Sequence, residues 1–106
     1  MTANMKTLYK ITFMNEKHEP LQIYAGKVHM SDILGLVEAS DIMFIDSSEV
    51  IINPEDDKIK KLFHNVAATM IPINSLIRID EVTLKKDTPI IRLYQNNEKN
   101  NQSNNP

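Results

Sequence analysis

From Leu8 to Met14 the chain alternates, with Tyr9, Ile11 and Phe13 on one side of an extended backbone and Lys10 and Thr12 on the other. A period of two marks a β-strand with one face against a core, and it conflicts with the 3.6-residue repeat of a helix. The pattern returns after the polar stretch Asn15-Glu16-Lys17-His18-Glu19-Pro20, where Leu21, Ile23 and Ala25 alternate with Gln22 and Tyr24. Two such runs around a short polar connection predict a hairpin.

The segment Ser31-Asp32-Ile33-Leu34-Gly35-Leu36-Val37-Glu38 admits two readings. Ser31 would cap a short helix, but Gly35 in its interior costs about 1 kcal/mol relative to alanine. A turn at Ser31-Asp32 followed by a strand is the better reading. Further strands are expected at Ile42 to Ile45 and Val50 to Ile52, around a turn at Asp46-Ser47-Ser48.

The strongest helical signal follows. Asn53 suits an N-cap and Pro54 the first helical position. Glu55, Asp56 and Asp57 complement the positive end of the helix dipole, and Lys60, Lys61 and His64 lie towards the negative end. Ile59, Leu62, Phe63 and Val66 form one apolar stripe, so a helix is expected from Pro54 to Val66. Strands are then expected at Ala68 to Ile71 and Leu76 to Val82, joined by a tight turn at Pro72-Ile73-Asn74-Ser75. Pro89 to Tyr94 reads as a last strand at an edge, because its leading proline cannot donate to a ladder.

These elements fit one domain over residues 7–94, with a flexible start at 1–6 and a solvated Asn-rich tail at 95–106. With 106 residues and 42% hydrophobic content, the chain builds one core. The net charge of −2 argues against nonspecific gripping of nucleic-acid phosphates. The absence of cysteine excludes disulfides, thiolate metal sites and a thiol nucleophile, and fits a cytoplasmic location. No apolar run resembles a signal peptide or a membrane span, so no membrane partner is expected.

Tyr9-Lys10-Ile11-Thr12-Phe13, Ser31 to Glu38, and Ile71-Pro72-Ile73-Asn74-Ser75-Leu76-Ile77-Arg78-Ile79-Asp80-Glu81-Val82 together resemble a family of small bacterial proteins known only as domain of unknown function 1820. The likeness runs from about Leu8 to Val82 and implies relatives without implying an activity. More distantly, Gly35-Leu36-Val37-Glu38-Ala39-Ser40-Asp41 and Ile73 to Ile79 resemble the two motifs of Sm-like small barrels. Such a likeness implies a small barrel. It does not carry RNA contacts with it. Pro72-Ile73-Asn74 stands where an Hfq-type protein would place Tyr-Lys-His, and Met43-Phe44 stands where eukaryotic Sm proteins place Met-Asn.

No catalytic constellation is legible. His18, His29 and His64 lack metal-ligand spacing, and neither Gly26 nor Gly35 begins a phosphate loop. Ser31, Ser47, Ser48 and Ser75 sit in turn contexts, and Glu38 and Asp41 read as a strand end and its turn rather than an acid/base pair. Lys58, Lys60 and Lys61 belong to a dipole-matched solvated helix face. On the strand from Leu76, Arg78 and Asp80 share a face and would form an ion pair, with Arg78 available for recognition if that face is exposed. Tyr9, Tyr24 and Phe44 would offer stacking surfaces if not buried.

The expectation is therefore a mainly β (α+β) domain, either a small Sm/SH3-like barrel or a curled antiparallel sheet, with one packed amphipathic helix. Its function would be that of a noncatalytic binding or adaptor module without a cofactor or metal. It would contact an unknown protein partner or a second copy of itself through Arg78, Asp80, Asn74 and Tyr24. RNA binding in the Sm-like manner is the alternative.

Overall fold

A computed structural model describes residues 5–45 and 54–94. Its elements in chain order are β1 (Met5–Met14), β2 (Pro20–Met30), β3 (Leu36–Ile45), α1 (Pro54–Phe63), β4 (Ala68–Pro72), a 3₁₀ turn (Ile73–Ser75), β5 (Leu76–Lys85) and β6 (Ile90–Arg92). All pairings are antiparallel, in the order β4-β3-β2-β1-β5, and β6 pairs with β3 beyond the end of β4. Over the described residues the fold is mainly β with one α-helix. Among the described residues no ladder joins β4 or β6 to β5, so the sheet is open rather than a closed barrel.

The β1–β2 hairpin forms where the alternation predicts it. Asn15 organises its turn by accepting amide hydrogen bonds at its Oδ1 from Lys17 and Glu19, each at 2.9 Å. Its backbone carbonyl accepts from the His18 amide at 3.0 Å, and His18 adopts a left-handed φ of 60°. Asparagine is suited to this work because its short amide side chain bonds backbone two residues on. From this turn the register runs Phe13 opposite Leu21, Ile11 opposite Ile23 and Tyr9 opposite Ala25. Those residues share the core face with Ala39, Ile42, Ile71, Ile59, Phe63 and Leu93.

β3 is one strand from Leu36 to Ile45, where the sequence suggests two pieces interrupted near Asp41. Asp41 does interrupt the geometry, with a left-handed φ of 56°, but the pairing with β2 resumes on either side of it. Aspartate tolerates this conformation better than most residues. Against it stands Gly26. A Cβ at Gly26 would lie 2.5 Å from the Asp41 Oδ2 and 3.2 Å from its Cβ. The Asp41 side chain thus folds over a bare glycine, and Arg92 of β6 donates from Nε to Asp41 Oδ1 at 3.0 Å. One glycine, one left-handed aspartate and one arginine thus meet where β2, β3 and β6 come together.

The helix ends at Phe63, earlier than the expected Val66, because Asn65 turns left-handed at φ 61° and its amide donates to the Leu93 carbonyl at 2.6 Å. Ile59 and Phe63 enter the core, while Leu62 stays exposed on the flank of the stripe. Lys60 and Lys61 lie in the last turn, as the dipole argument requires. The expected cap Asn53, the turn at Asp46 to Ser48, the strand at Val50 to Ile52 and the tail at 95–106 lie outside the described residues.

β5 runs past Val82 to Lys85 and pairs with β1 through a register shift between Thr12 and Phe13. Arg78 faces Thr12 and Leu76 faces Phe13, which leaves Ile77 as an extra residue, a bulge. The final strand is shorter than the expected Pro89 to Tyr94, and it sits at an edge with Leu93 buried just beyond it.

Candidate functional site

The segment Ser31 to Gly35 belongs to the β2–β3 turn, so Ile33 and Leu34 are not strand residues as the sequence reading supposes. Ser31 accepts the Ile33 amide at its Oγ at 3.0 Å, the Leu36 amide donates to the Ile33 carbonyl at 3.2 Å, and Gly35 takes φ +85°. This tight loop holds Leu34 98% exposed and Ile33 57% exposed. Such exposure is the reverse of what apolar side chains gain by folding.

The tip is not alone. The Ile73 amide donates to the Gly35 carbonyl at 2.9 Å, Ser31 Oγ donates to Met70 Sδ at 3.7 Å, and Leu36 pairs with Pro72. These links seat the turn beside the end of β4 and the 3₁₀ turn. Met30, Ile33, Leu34, Met70 and Ile73, all exposed, therefore gather at one end of the sheet. Clustered exposed apolar groups of this kind mark interaction surfaces, whereas scattered ones do not. The signal in the sequence is two large apolar residues enclosed between Ser31-Asp32 and Gly35, a turn composition rather than a strand composition.

Of the four residues singled out from the sequence, three share one face of the sheet. Tyr24 stands opposite Lys10, and Lys10 stands opposite Asp80, so they form one cross-strand row. Arg78 occupies the next row with Thr12 and Gln22, and its Nη2 reaches Asp80 Oδ1 at 3.1 Å. Asn74 is separate from them, exposed in the 3₁₀ turn at the apolar tip.

Burial pushes the Tyr24 phenol above its ordinary value of 10.0, and the nearby Asp56 carboxylate adds to the rise. The folded chain therefore holds that proton more tightly than the unfolded chain. The associated stability is fully present below about pH 10 and is lost as pH rises through the folded value. Asp56→Asn removes only the smaller cause, so ultraviolet titration of the folded variant should still show Tyr24 ionising above the ordinary value. A return to that value would mean that the carboxylate, and not burial, raises it.

The other candidate groups do not converge. His29 lies 3.7 Å from Glu38, while Asp41 is held by Arg92. Lys58 bonds Glu19 at 3.1 Å, Lys61 bonds Asp57 at 3.3 Å, and the Lys60 ammonium sits 4.4 Å over the Phe44 ring. The Glu19 carboxyl is lowered by its hydrogen bond to Lys58 and then by that from Asn15. Among the described residues no cluster of three or more His, Asp or Glu has the proximity to hold a metal ion, and no helix is long and apolar enough to cross a membrane.

A groove of about 420 Å³ opens between α1, the β1–β2 turn and β4, with Phe13, Leu21, Leu62, Phe63 and Ile71 among its walls. Its rim includes Asn15 and Lys58, whose side chains tie the hairpin together and to the helix. Those two polar groups have structural work, and Glu16, Lys17, Thr69 and Ser75 complete the polar part of the lining.

A family model described as "Domain of unknown function (DUF1820)" matches residues 7–105. No curated protein and no solved structure matches the chain.

Proposed function

We propose that this chain, which belongs to the DUF1820 family, is a noncatalytic binding module that engages a protein partner through the apolar tip formed by Met30, Ile33, Leu34, Met70 and Ile73. The observation that carries this reading is Leu34, 98% exposed on a turn whose backbone is fixed by hydrogen bonds on both sides. A pre-ordered apolar knob loses little conformational freedom on binding, so its burial in a partner's apolar recess goes into affinity. Asn74 beside it supplies polar hydrogen-bonding capacity at the rim of the contact.

Leu34 makes a clean test because it has almost nothing to lose within the folded chain. Leu34→Asp is expected to leave the melting temperature unchanged to within the effect of about 0.5 kcal/mol. In quantitative affinity purification of the full chain, at least one copurifying protein should fall about tenfold or more with Leu34→Asp. Equal recovery of every copurifying protein by the two forms would remove the tip as the binding surface.

The order β4-β3-β2-β1-β5, with a 3₁₀ turn between β4 and β5, supports a second reading as a small-barrel protein of the Sm-like kind that binds RNA. It has less behind it, since Lys58, Lys61, Arg78 and Arg92 are each paired with a carboxylate. A salt-sensitive mobility shift with single-stranded RNA would favour this alternative over protein docking.

A further inference from the structure

The long strand β5 has one neighbour, β1, and among the described residues no strand pairs with its other edge. Its ten residues contain neither proline nor glycine; a bulge at Ile77 and four charged side chains guard the edge in part, but its length leaves room for pairing with another strand. Two large apolar side chains lie along it, Ile77 at 52% and Ile79 at 37% exposure. We infer that β5 pairs antiparallel with β5 of a second copy of this chain, about a two-fold axis at Ile79.

Charge and the length of strand that can pair together select that register. Antiparallel pairing across an edge sets residues opposite one another whose numbers have a constant sum, and the alternation of amide directions makes the sum even. A two-fold axis at Arg78 would oppose two arginines, one at Asp80 two aspartates, and one at Glu81 two glutamates. An axis at Val82 makes no ion pair and sets Arg78 against Lys86 of the second copy. An axis at Thr83 sets Glu81 against Lys85 of the second copy and Asp80 against Lys86, but Lys86 lies beyond the end of β5, so only residues 81–85 form a ladder and both Ile77 and Ile79 fall outside it.

With the axis at Ile79, the two Ile79 side chains meet, and Arg78 of each copy faces Asp80 of the other, giving two opposite-charge pairs. At the flanks Leu76 comes against Val82 and Ile77 against Glu81, where the bulge has already displaced Ile77 from the ladder with β1. Arg78 and Asp80 are bonded within one copy at 3.1 Å, so association exchanges an existing exposed pair in each copy for two pairs across the axis. A contact in which the same patch serves both copies closes on itself, which yields a dimer and no larger array. The surface is distinct from the apolar tip, which stays free for a partner.

Sedimentation over a range of concentrations, combined with a charge swap, tests this. The native chain should reach twice its 12.2 kDa mass as concentration rises. Arg78→Asp should raise the dimer dissociation constant about tenfold or more, because the carboxylate introduced at position 78 then faces Asp80 of the other copy on both sides of the axis. The double swap Arg78→Asp with Asp80→Arg should restore the dimer, since both opposite-charge pairs are re-formed with their signs exchanged. Leu34→Asp should leave dimerisation intact while abolishing partner recovery, so failure of one surface is read separately from failure of the other. A monomer at every concentration, a species larger than two copies, or a dimer that responds to Glu81→Lys but not to Arg78→Asp would each overturn the pairing.

Discussion

Ile11→Ala is expected to cost about 2–5 kcal/mol of folding stability, the range for removing a large aliphatic side chain from a close-packed interior. Ile11 is fully buried between Ile23 on β2 and Ile79 on β5, so its loss leaves a hole bounded by three strands that cannot all move inwards. A domain of this size has a total stability of roughly 5–15 kcal/mol, so the change takes a large share of it. At roughly 4–8 °C per kcal/mol, the melting temperature should fall by about 8 °C or more. Ile79→Ala supplies the comparison, because it is in the same row but at the open edge. At concentrations low enough to keep the chain monomeric it should cost only about 1 kcal/mol. Equilibrium urea unfolding measures both, and equal costs would contradict a core that thins towards β5.

The second large effect is at Gly26. Gly26→Ala places a methyl group 2.5 Å from Asp41 Oδ2 and 2.9 Å from Met43 Cε. The methionine end can swing aside, but the aspartate is short, left-handed at φ 56° and bonded to Arg92 at 3.0 Å. Overpacking of this kind costs about 1–3 kcal/mol. Asp41→Gly removes the obstructing carboxylate and suits the left-handed backbone. Combining Gly26→Ala with Asp41→Gly should therefore cost less than the sum of the two single changes, with a coupling of about 1 kcal/mol or more. Strict additivity would mean that Asp41 is not what keeps position 26 bare.

The strands are legible in the sequence because their side chains face two different media. Tyr9 to Phe13 and Leu21 to Ala25 alternate since one face meets the core and the other meets water. The helix is legible for the same reason at its own period. Its end is not, because Asn65 is fixed by Leu93, a residue far along the chain that no local pattern connects to it. Gly26 and Asp41 are equally hidden. Each looks ordinary in its own segment, and only the β2–β3 register brings them together. Of the four interface candidates, the Arg78–Asp80 pair follows from strand periodicity, whereas the tip around Leu34 reads misleadingly as the start of a strand. Ile33 and Leu34 are as hydrophobic as core residues, and hydrophobicity alone does not distinguish a side chain meant for the protein's own interior from one held out on a turn.

The two neighbours of β1 differ in how they reach it. β2 arrives through a turn built on Asn15, whereas β5 arrives only after β2, β3, α1 and β4 have intervened in the chain, with Met5 finally opposite Lys85. Joining such distant partners carries a loop-closure cost before any contact repays it, so the early hairpin forms fast and its second edge waits. During that interval β1 exposes its own unpaired amides and carbonyls alongside Leu8 and Ile11. Among the described residues β5 still keeps one edge without a partner strand, and the time for which β1 is prone to mispairing is governed by how quickly the first and last long strands meet.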